Sequence, residues 1–200
     1  MTSWSKFLIV SALIAILVIV SIVLLPALNL LGIPKNEETF SELWLLGPEH
    51  KAENYPFNVS VNEDYTLYVG VGNQLGESSD YAVYVKLSNQ TQQLANSTTA
   101  EPSPLPSIHE YLFALQDEEL WEIQFTFAVD YVLLQQNITR VKTLSINGNM
   151  FPVDCTSIWD SDKNGFYCQL VFELWCYNKT SSSFQYHNRD ARLWLNMTSS

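Results

Sequence analysis

The chain has 200 residues, with 10 basic against 21 acidic side chains and a net charge of −11. All the acids follow residue 35, where only nine bases accompany them, so the segment from Lys35 onward carries −12. That field repels phosphate backbones and no basic stripe interrupts it, which excludes a nucleic-acid partner. The length suits one compact domain plus a small extra.

Residues 7–25 form an apolar run of 19 with only Ser11 and Ser21 polar, and apolar character continues beyond Pro26 through Leu28, Leu30, Leu31 and Ile33. A membrane-crossing helix needs roughly 20 such residues. A cleaved signal is the alternative, but its apolar part is typically about 7–15 residues and ends in a small-x-small site, which is lacking here. Lys6 on one side, with Lys35, Glu37 and Glu38 on the other, places the amino terminus inside. The expected organisation is a cytoplasmic N-terminus over 1–6, a single transmembrane anchor in membrane lipid over 7–33, and an extracellular domain over 34–200.

Beyond the anchor, period-two alternation dominates. Tyr65, Leu67, Val69 and Val71 share one face, as do Tyr81, Val83, Val85 and Leu87. Trp121, Ile123, Phe125, Phe127 and Val129 follow, and later Phe166, Cys168, Leu170, Phe172, Leu174 and Cys176. Such segments read as antiparallel strands with one buried face. Segments 40–46, 57–61 and 191–197 are further strands. Asn147-Gly148 is a hairpin signal. Segment 130–144 is ambiguous and admits a short helix. Seven or more strands at this spacing predict an immunoglobulin-like antiparallel β-sandwich.

The outer segment holds six N-x-S/T sequons, at Asn58, Asn89, Asn96, Asn137, Asn178 and Asn196. Roughly two would arise by chance, so N-glycosylation of an exported domain is expected. The three cysteines are Cys155, Cys168 and Cys176. The last two share a strand and stand roughly 26 Å apart along it, beyond bonding reach. Cys155–Cys168 is therefore the expected disulfide, with Cys155–Cys176 and three free thiols as alternatives; closing the short loop would contribute about 3 kcal/mol.

Asp160-Ser-Asp162-Lys-Asn164-Gly165 matches the first half of a calcium loop. Position twelve of that motif is Val171, so an exposed turn is the default and Asp160, Asp162 and Asn164 are calcium ligands only in the alternative. The histidines His50, His109 and His187 have no paired metal spacing, and no nucleophile elbow or glycine-rich phosphate loop occurs. Glu118-Glu119 beside Trp121 reads as a solvated strand edge rather than a sugar-cleaving acid pair. Tyr68 and Tyr84 stand on outward faces, as a binding patch or as cross-strand neighbours.

The stretch Phe40-Ser-Glu-Leu-Trp-Leu-Leu-Gly-Pro-Glu-His-Lys-Ala-Glu-Asn-Tyr-Pro56 resembles the opening of an uncharacterised archaeal membrane-protein family, domain of unknown function sixteen-sixteen. The likeness continues in Asn58-Val-Ser-Val, Tyr68-Val-Gly-Val-Gly-Asn73 and Tyr81-Ala-Val-Tyr-Val-Lys-Leu87, then in Glu119-Leu-Trp121 with Phe125. Phe172-Glu-Leu-Trp175 and Leu193-Trp-Leu-Asn196 resemble its ending. The resemblance implies an outward-facing β-sandwich on a membrane and no activity. Members often carry several transmembrane helices, whereas this chain has one, and it has inserts around 88–107 and 140–165 that are candidates for a function of its own.

The expected function is a non-enzymatic surface, envelope or receptor-like glycoprotein, or the outer subunit of a membrane complex with a protein partner, and with no cofactor. An exported filament subunit with a processed N-terminus and a membrane-anchored hydrolase are the alternatives.

Overall fold

The chain divides into two compact units, Met1–Glu38 and Thr39–Ser200. The structure is a computed structural model that describes residues 39–197 together with Trp4, Ile14 and Val20. The anchor expected over 7–33 lies outside the described residues except for Ile14 and Val20, both helical in backbone and exposed. Among the described residues no helix is long and apolar enough to cross a membrane, a statement that does not bear on β-barrels.

The second unit is mainly β, as its alternation dictates. Among the described residues ten strands follow in order: β1 (Phe40–Leu46), β2 (Asn58–Val59), β3 (Tyr65–Gln74), β4 (Ser79–Asn89), β5 (His109–Leu115), β6 (Leu120–Gln135), β7 (Ile138–Ile146), β8 (Asn149–Asp160), β9 (Gly165–Asn178) and β10 (Ser183–Met197). One hydrogen-bonded path runs β1-β3-β6-β7-β8-β9-β10-β2, and β4 joins β9 to β5. Every pair is antiparallel except the short contact of β2 with the end of β10. Strands β8 and β9 meet only at Trp159–Phe166 and Asp160–Gly165. There the sheet curls. Beyond that corner β9 pairs with β4 on one edge and β10 on the other.

The curl brings unpaired strands face to face. Phe125 of β6 meets Phe172 of β9 edge to face at 5.1 Å. The inner rows of both halves fall into one buried cluster, from Val69, Val71, Phe127 and Val129 to Val83, Leu170, Leu174 and Leu195. Each such side chain contributes about 1.5–3 kcal/mol when fully buried.

The hairpin at Asn147-Gly148 forms as expected, with φ of 48° and 79°, the left-handed pair that a tight two-residue turn requires. Segment 130–144 holds no helix. It is the end of β6, a turn and most of β7. Register slips at Asp130/Tyr131, Leu133/Gln135 and Val141/Thr143 break the alternation there, which is why it reads ambiguously. The expected insert over 140–165 is most of β7 and β8 with the turn before β9. The expected strand over 57–61 shrinks to the two residues of β2.

The 90–107 segment does leave the sheet. It folds back over the outward face of β4 and β9 and covers Glu173; on the same face Tyr167, Gln169 and Val171 are buried although alternation turns them away from the core, with Tyr167 packed by Phe57 and Trp194. A buried ion pair fastens it. The Lys86 ammonium donates to Glu173 at 2.7 Å and to the carbonyl and hydroxyl oxygens of Ser103 at 3.1 and 3.2 Å. The Ser103 amide donates back to Glu173 at 3.0 Å, and its hydroxyl donates to the same carboxylate oxygen.

Candidate functional site

The outward face of β1, β3 and β6 carries the most organised constellation among the described residues. Pairing sets Trp44 opposite Gly70, and Gly70 opposite Glu122. The next row is Glu42, Gly72 and Leu120. Glycine inside a strand marks a close approach. A Cβ at Gly70 would lie 2.1–2.4 Å from the Trp44 indole, so the ring lies flat against bare backbone. From there the indole N–H donates to Glu122 Oε2 at 2.9 Å.

The other Glu122 oxygen contacts Nε2 of His50. His50 stands on the loop after β1, in the left-handed region at φ 61°. That loop is tied by Gly47 N–H to the Lys51 carbonyl at 2.7 Å and by the Tyr55 hydroxyl to the Leu45 carbonyl at 2.8 Å. A Cβ at Gly47 would collide with the Glu53 carbonyl at 2.0 Å, so this loop closes only around glycine. The result lays the His50 ring on Tyr68, with centroids 3.8 Å apart and planes within 11°. A non-glycine residue held at positive φ costs of order 1–3 kcal/mol, and such strain clusters at sites with a role. The hydrogen bond from His50, then that from Trp44, holds the Glu122 carboxyl below its ordinary 4.5.

The sign follows directly. Glu122's depressed pKa means that its contribution is present above the ordinary carboxyl range and is lost as pH falls through the folded value. In the full chain the Trp44 indole N–H resonance is expected to hold its shifted position at pH 6 and to move towards a free indole as Glu122 protonates. Gly70→Val should displace that resonance at every pH. An indole signal indifferent to both changes would show that the contact does not persist in solution.

In the sequence Tyr68 is legible as an outward-facing ring, whereas His50 shows only a lack of paired metal spacing, and Gly70 and Gly72 appear only inside the Tyr68–Asn73 motif. Two glycines at i and i+2 on one strand face, level with Trp44, were the available signal.

The other expected site residues lie away from this face. Asn58, Asn96 and Asn137 are exposed, and Asn89 and Asn178 are half-buried. At Asn89, Asn96 and Asn178 the side-chain oxygen accepts the amide of the sequon's own Thr, so each forms an Asx turn. Asn196 differs. It is 6% exposed, and its amide donates to Asn58 at 3.0 Å. No bulky glycan fits that nitrogen in the folded domain.

The expected Cys155–Cys168 bridge is not formed, and all three cysteines are thiols. Cys155 stands opposite Val141 on β7, whereas Cys168 stands between Asn89 and Leu195. The turn between them joins the two halves of the sheet rather than two strands paired along their length. Burial pushes the Cys155 thiol up to about 12, and burial, then the nearby Cys155, raises Cys168 well above its ordinary value. Cys176 is raised too, chiefly by burial. Protonated thiols are poor nucleophiles and poor metal ligands.

In the 160–165 turn, the Asp160 carboxylate accepts the amides of Asp162 and Lys163 at 3.0 and 3.1 Å, and Asn164 takes φ 56°. The residues serve their own turn. Among the described residues no group of three or more His, Cys, Asp or Glu is placed to hold a metal ion. Glu118 takes φ 63° in the turn before β6, while Glu119 accepts the Gln116 amide at 2.7 Å.

The family described as domain of unknown function DUF1616 matches residues 34–142, which include every residue of the Trp44–Glu122 face. No curated protein sequence matches the chain. Among solved structures, a β-glucosidase from Listeria innocua in complex with gluconolactone is similar over 59% of this chain at 15% identity, with a TM-score of 0.33. The chain spans 16% of that enzyme's length. A chain of the complex between zinc 2-glycoprotein and prolactin inducible protein from human seminal plasma is similar over 82% of this chain and 99% of its own, at 10% identity and a TM-score of 0.38. The sporulation control protein Spo0M of Bacillus subtilis is similar over 79% of this chain and 90% of its own, at 10% identity and a TM-score of 0.27. Scores this low carry nothing about what the chain does.

Proposed function

The chain belongs to the DUF1616 family, a domain of unknown function, and we propose that it is a membrane-anchored extracellular glycoprotein with a non-enzymatic binding or structural role. In this reading residues 1–6 are cytoplasmic and 7–33 form the anchor. The curled sheet of 39–197 is the immunoglobulin-like sandwich that they hold outside the cell. Glycans at the exposed sequons shield the rest of the surface.

The observation that carries the reading is the Trp44–Glu122–His50–Tyr68 face. Its carboxylate is already bonded on both oxygens, to an indole and to an imidazole. That commits the carboxylate itself and leaves a preformed, part-aromatic surface whose His50 side chain is 53% exposed. Rigid aromatic groups with satisfied polar neighbours suit recognition, because little freedom is lost on contact.

The test is purification of the native protein from membranes in mild detergent, with mass spectrometry of everything that elutes. A stoichiometric companion makes it the outer subunit of a complex. Elution alone, glycosylated and with Met1 or Thr2 still present, makes it a free-standing surface protein. Recovery from the cytoplasmic fraction without glycans would sink the reading.

A further inference from the structure

We propose that the outward face of β5, β4, β9 and β10, beyond the edge of the pinned 90–107 segment, binds uncharged saccharides. The inference rests on the reading of the chain as an extracellular binding module and names a ligand class for it.

Five aromatic rings share this face. Leu112, Ala82, Trp175 and Tyr186 stand level across four strands. Tyr84 lies 5.1 Å from Trp175, and Trp175 lies 6.1 Å from Tyr186. One row further, Tyr177 meets Phe184 at 5.4 Å. All five are half-buried, so their bases are fixed and their rims reach solvent. Trp175 is further steadied by the Lys86 ammonium 5.9 Å from its ring and by its own N–H on Glu173.

Polar groups flank the rings. Glu110 is paired across from Tyr84, and Asp80 from Ala114; both acids are exposed. Neither makes a hydrogen bond or ion pair among the described residues, and the Tyr84 and Tyr177 hydroxyls are likewise uncommitted. Tyr186 donates to Asp190 at 3.0 Å. Burial, then the nearby Glu110, raises the Tyr84 phenol, so it remains a hydrogen-bond donor.

Three classes of occupant can be weighed. Among the described residues an anionic ligand meets no free cation on this face, since Lys86 is buried against Glu173 and Arg192 is paired with Asp190. The −12 carried from Lys35 onward repels it further. An apolar protein surface would bury Glu110, Asp80 and two phenols without partners, at about 1–3 kcal/mol each or more for the carboxylates. A neutral hexose chain answers both needs. Its C–H faces lie on the rings, and its hydroxyls donate to the carboxylates and exchange hydrogen bonds with the phenols.

The experiment uses the full chain in a detergent without a sugar headgroup, titrated with cellohexaose, mannohexaose and heparin hexasaccharide while tryptophan emission is followed. At least one neutral oligomer is expected to bind and shift the emission. Tyr84→Ala should weaken it tenfold or more, and Glu110→Gln, a near-isosteric change at an exposed position, several-fold. Heparin should not compete. Failure of both neutral oligomers overturns the proposal, as does preference for heparin or binding indifferent to both variants. A companion protein recovered from membranes alongside such a failure would leave the module reading standing and remove only its ligand.

Discussion

Lys86→Met is expected to destabilise the domain by about 3–5 kcal/mol, because it leaves the Glu173 carboxylate uncompensated in the interior. For a domain of this size that is a fall in Tm of roughly 10 °C. Glu173 is 0% exposed, and among the described residues Lys86 is its only ion-pair partner. The Ser103 amide and hydroxyl and the Trp175 indole would remain, and they cannot replace a full positive charge. Glu173→Gln fails in the complementary sense by burying an ammonium. The triple change Lys86→Met, Glu173→Leu and Ser103→Ala removes every charged and hydroxyl member together and should recover most of the loss, since a buried ion pair replaced by well-packed apolar groups is often neutral. The singles should also open 90–107 to proteolysis below the global transition, because the pair is what fastens that segment to β4 and β9. Single variants within 1 kcal/mol of the parent in thermal or urea melts would contradict this account.

Why this pair escaped sequence reasoning is physical. Alternation sorts a strand into two faces and identifies the apolar one as inward. It cannot tell whether another segment will cover the polar one. Lys86 and Glu173 sit on faces that read as solvent-facing, and both are buried by a segment, 90–107, whose Gln, Asn, Ser and Thr composition reads as open loop. Asn196 misleads in the same way: its sequon suggests exposure, yet it is the next-to-last residue of β10, and β2 closes over it. What was legible is whatever depends on neighbours in sequence. The Asn147-Gly148 turn, the inner rows of β3, β4, β6 and β9, and the first strand from Phe40 to Leu46 all follow from local pattern. The register slips in β6, β7 and β8 do not, because each inserts a residue and moves the remainder of the strand to the other face. The candidate site fell between these cases. Trp44, Gly70 and Glu122 are far apart in sequence and become neighbours only through the β1–β3–β6 pairing, although Gly70 and Gly72 signalled that something lies close above them.

Asn73→Asp, a change of one atom group, should cost about 4 kcal/mol at pH 7 and markedly less at pH 3. Asn73 closes the Tyr68-Val-Gly-Val-Gly-Asn73 motif and is 0% exposed. Its amide nitrogen donates to the carbonyls of Glu77, Leu115 and Gln116 at 2.8, 3.2 and 3.0 Å. Its oxygen accepts the Leu75 amide at 3.1 Å and the Tyr81 hydroxyl at 2.9 Å. Tyr81 also bonds Ser41 of β1 at 2.7 Å, and its phenol is pushed up to about 12, first by burial. One side chain thus joins β3 to β1 and β4 and to the turns after β3 and β5. A carboxylate in its place would set negative charge against three carbonyl oxygens, which costs more than an ordinary lost hydrogen bond. The same oxygens, with burial, must raise the new group's folded pKa above its unfolded value of about 3.9. With a raised folded pKa the proton is bound more tightly in the folded state, so the charge penalty is absent below the unfolded pKa and grows as pH rises through it. Asn73→Ala provides the contrast: it loses the same hydrogen bonds without a titrating group, and its cost relative to the parent should not depend on pH. Urea midpoints for all three proteins at pH 7 and pH 3 decide the matter. An equal loss for Asn73→Asp at both pH values would mean that the three carbonyls do not converge on this side chain in solution.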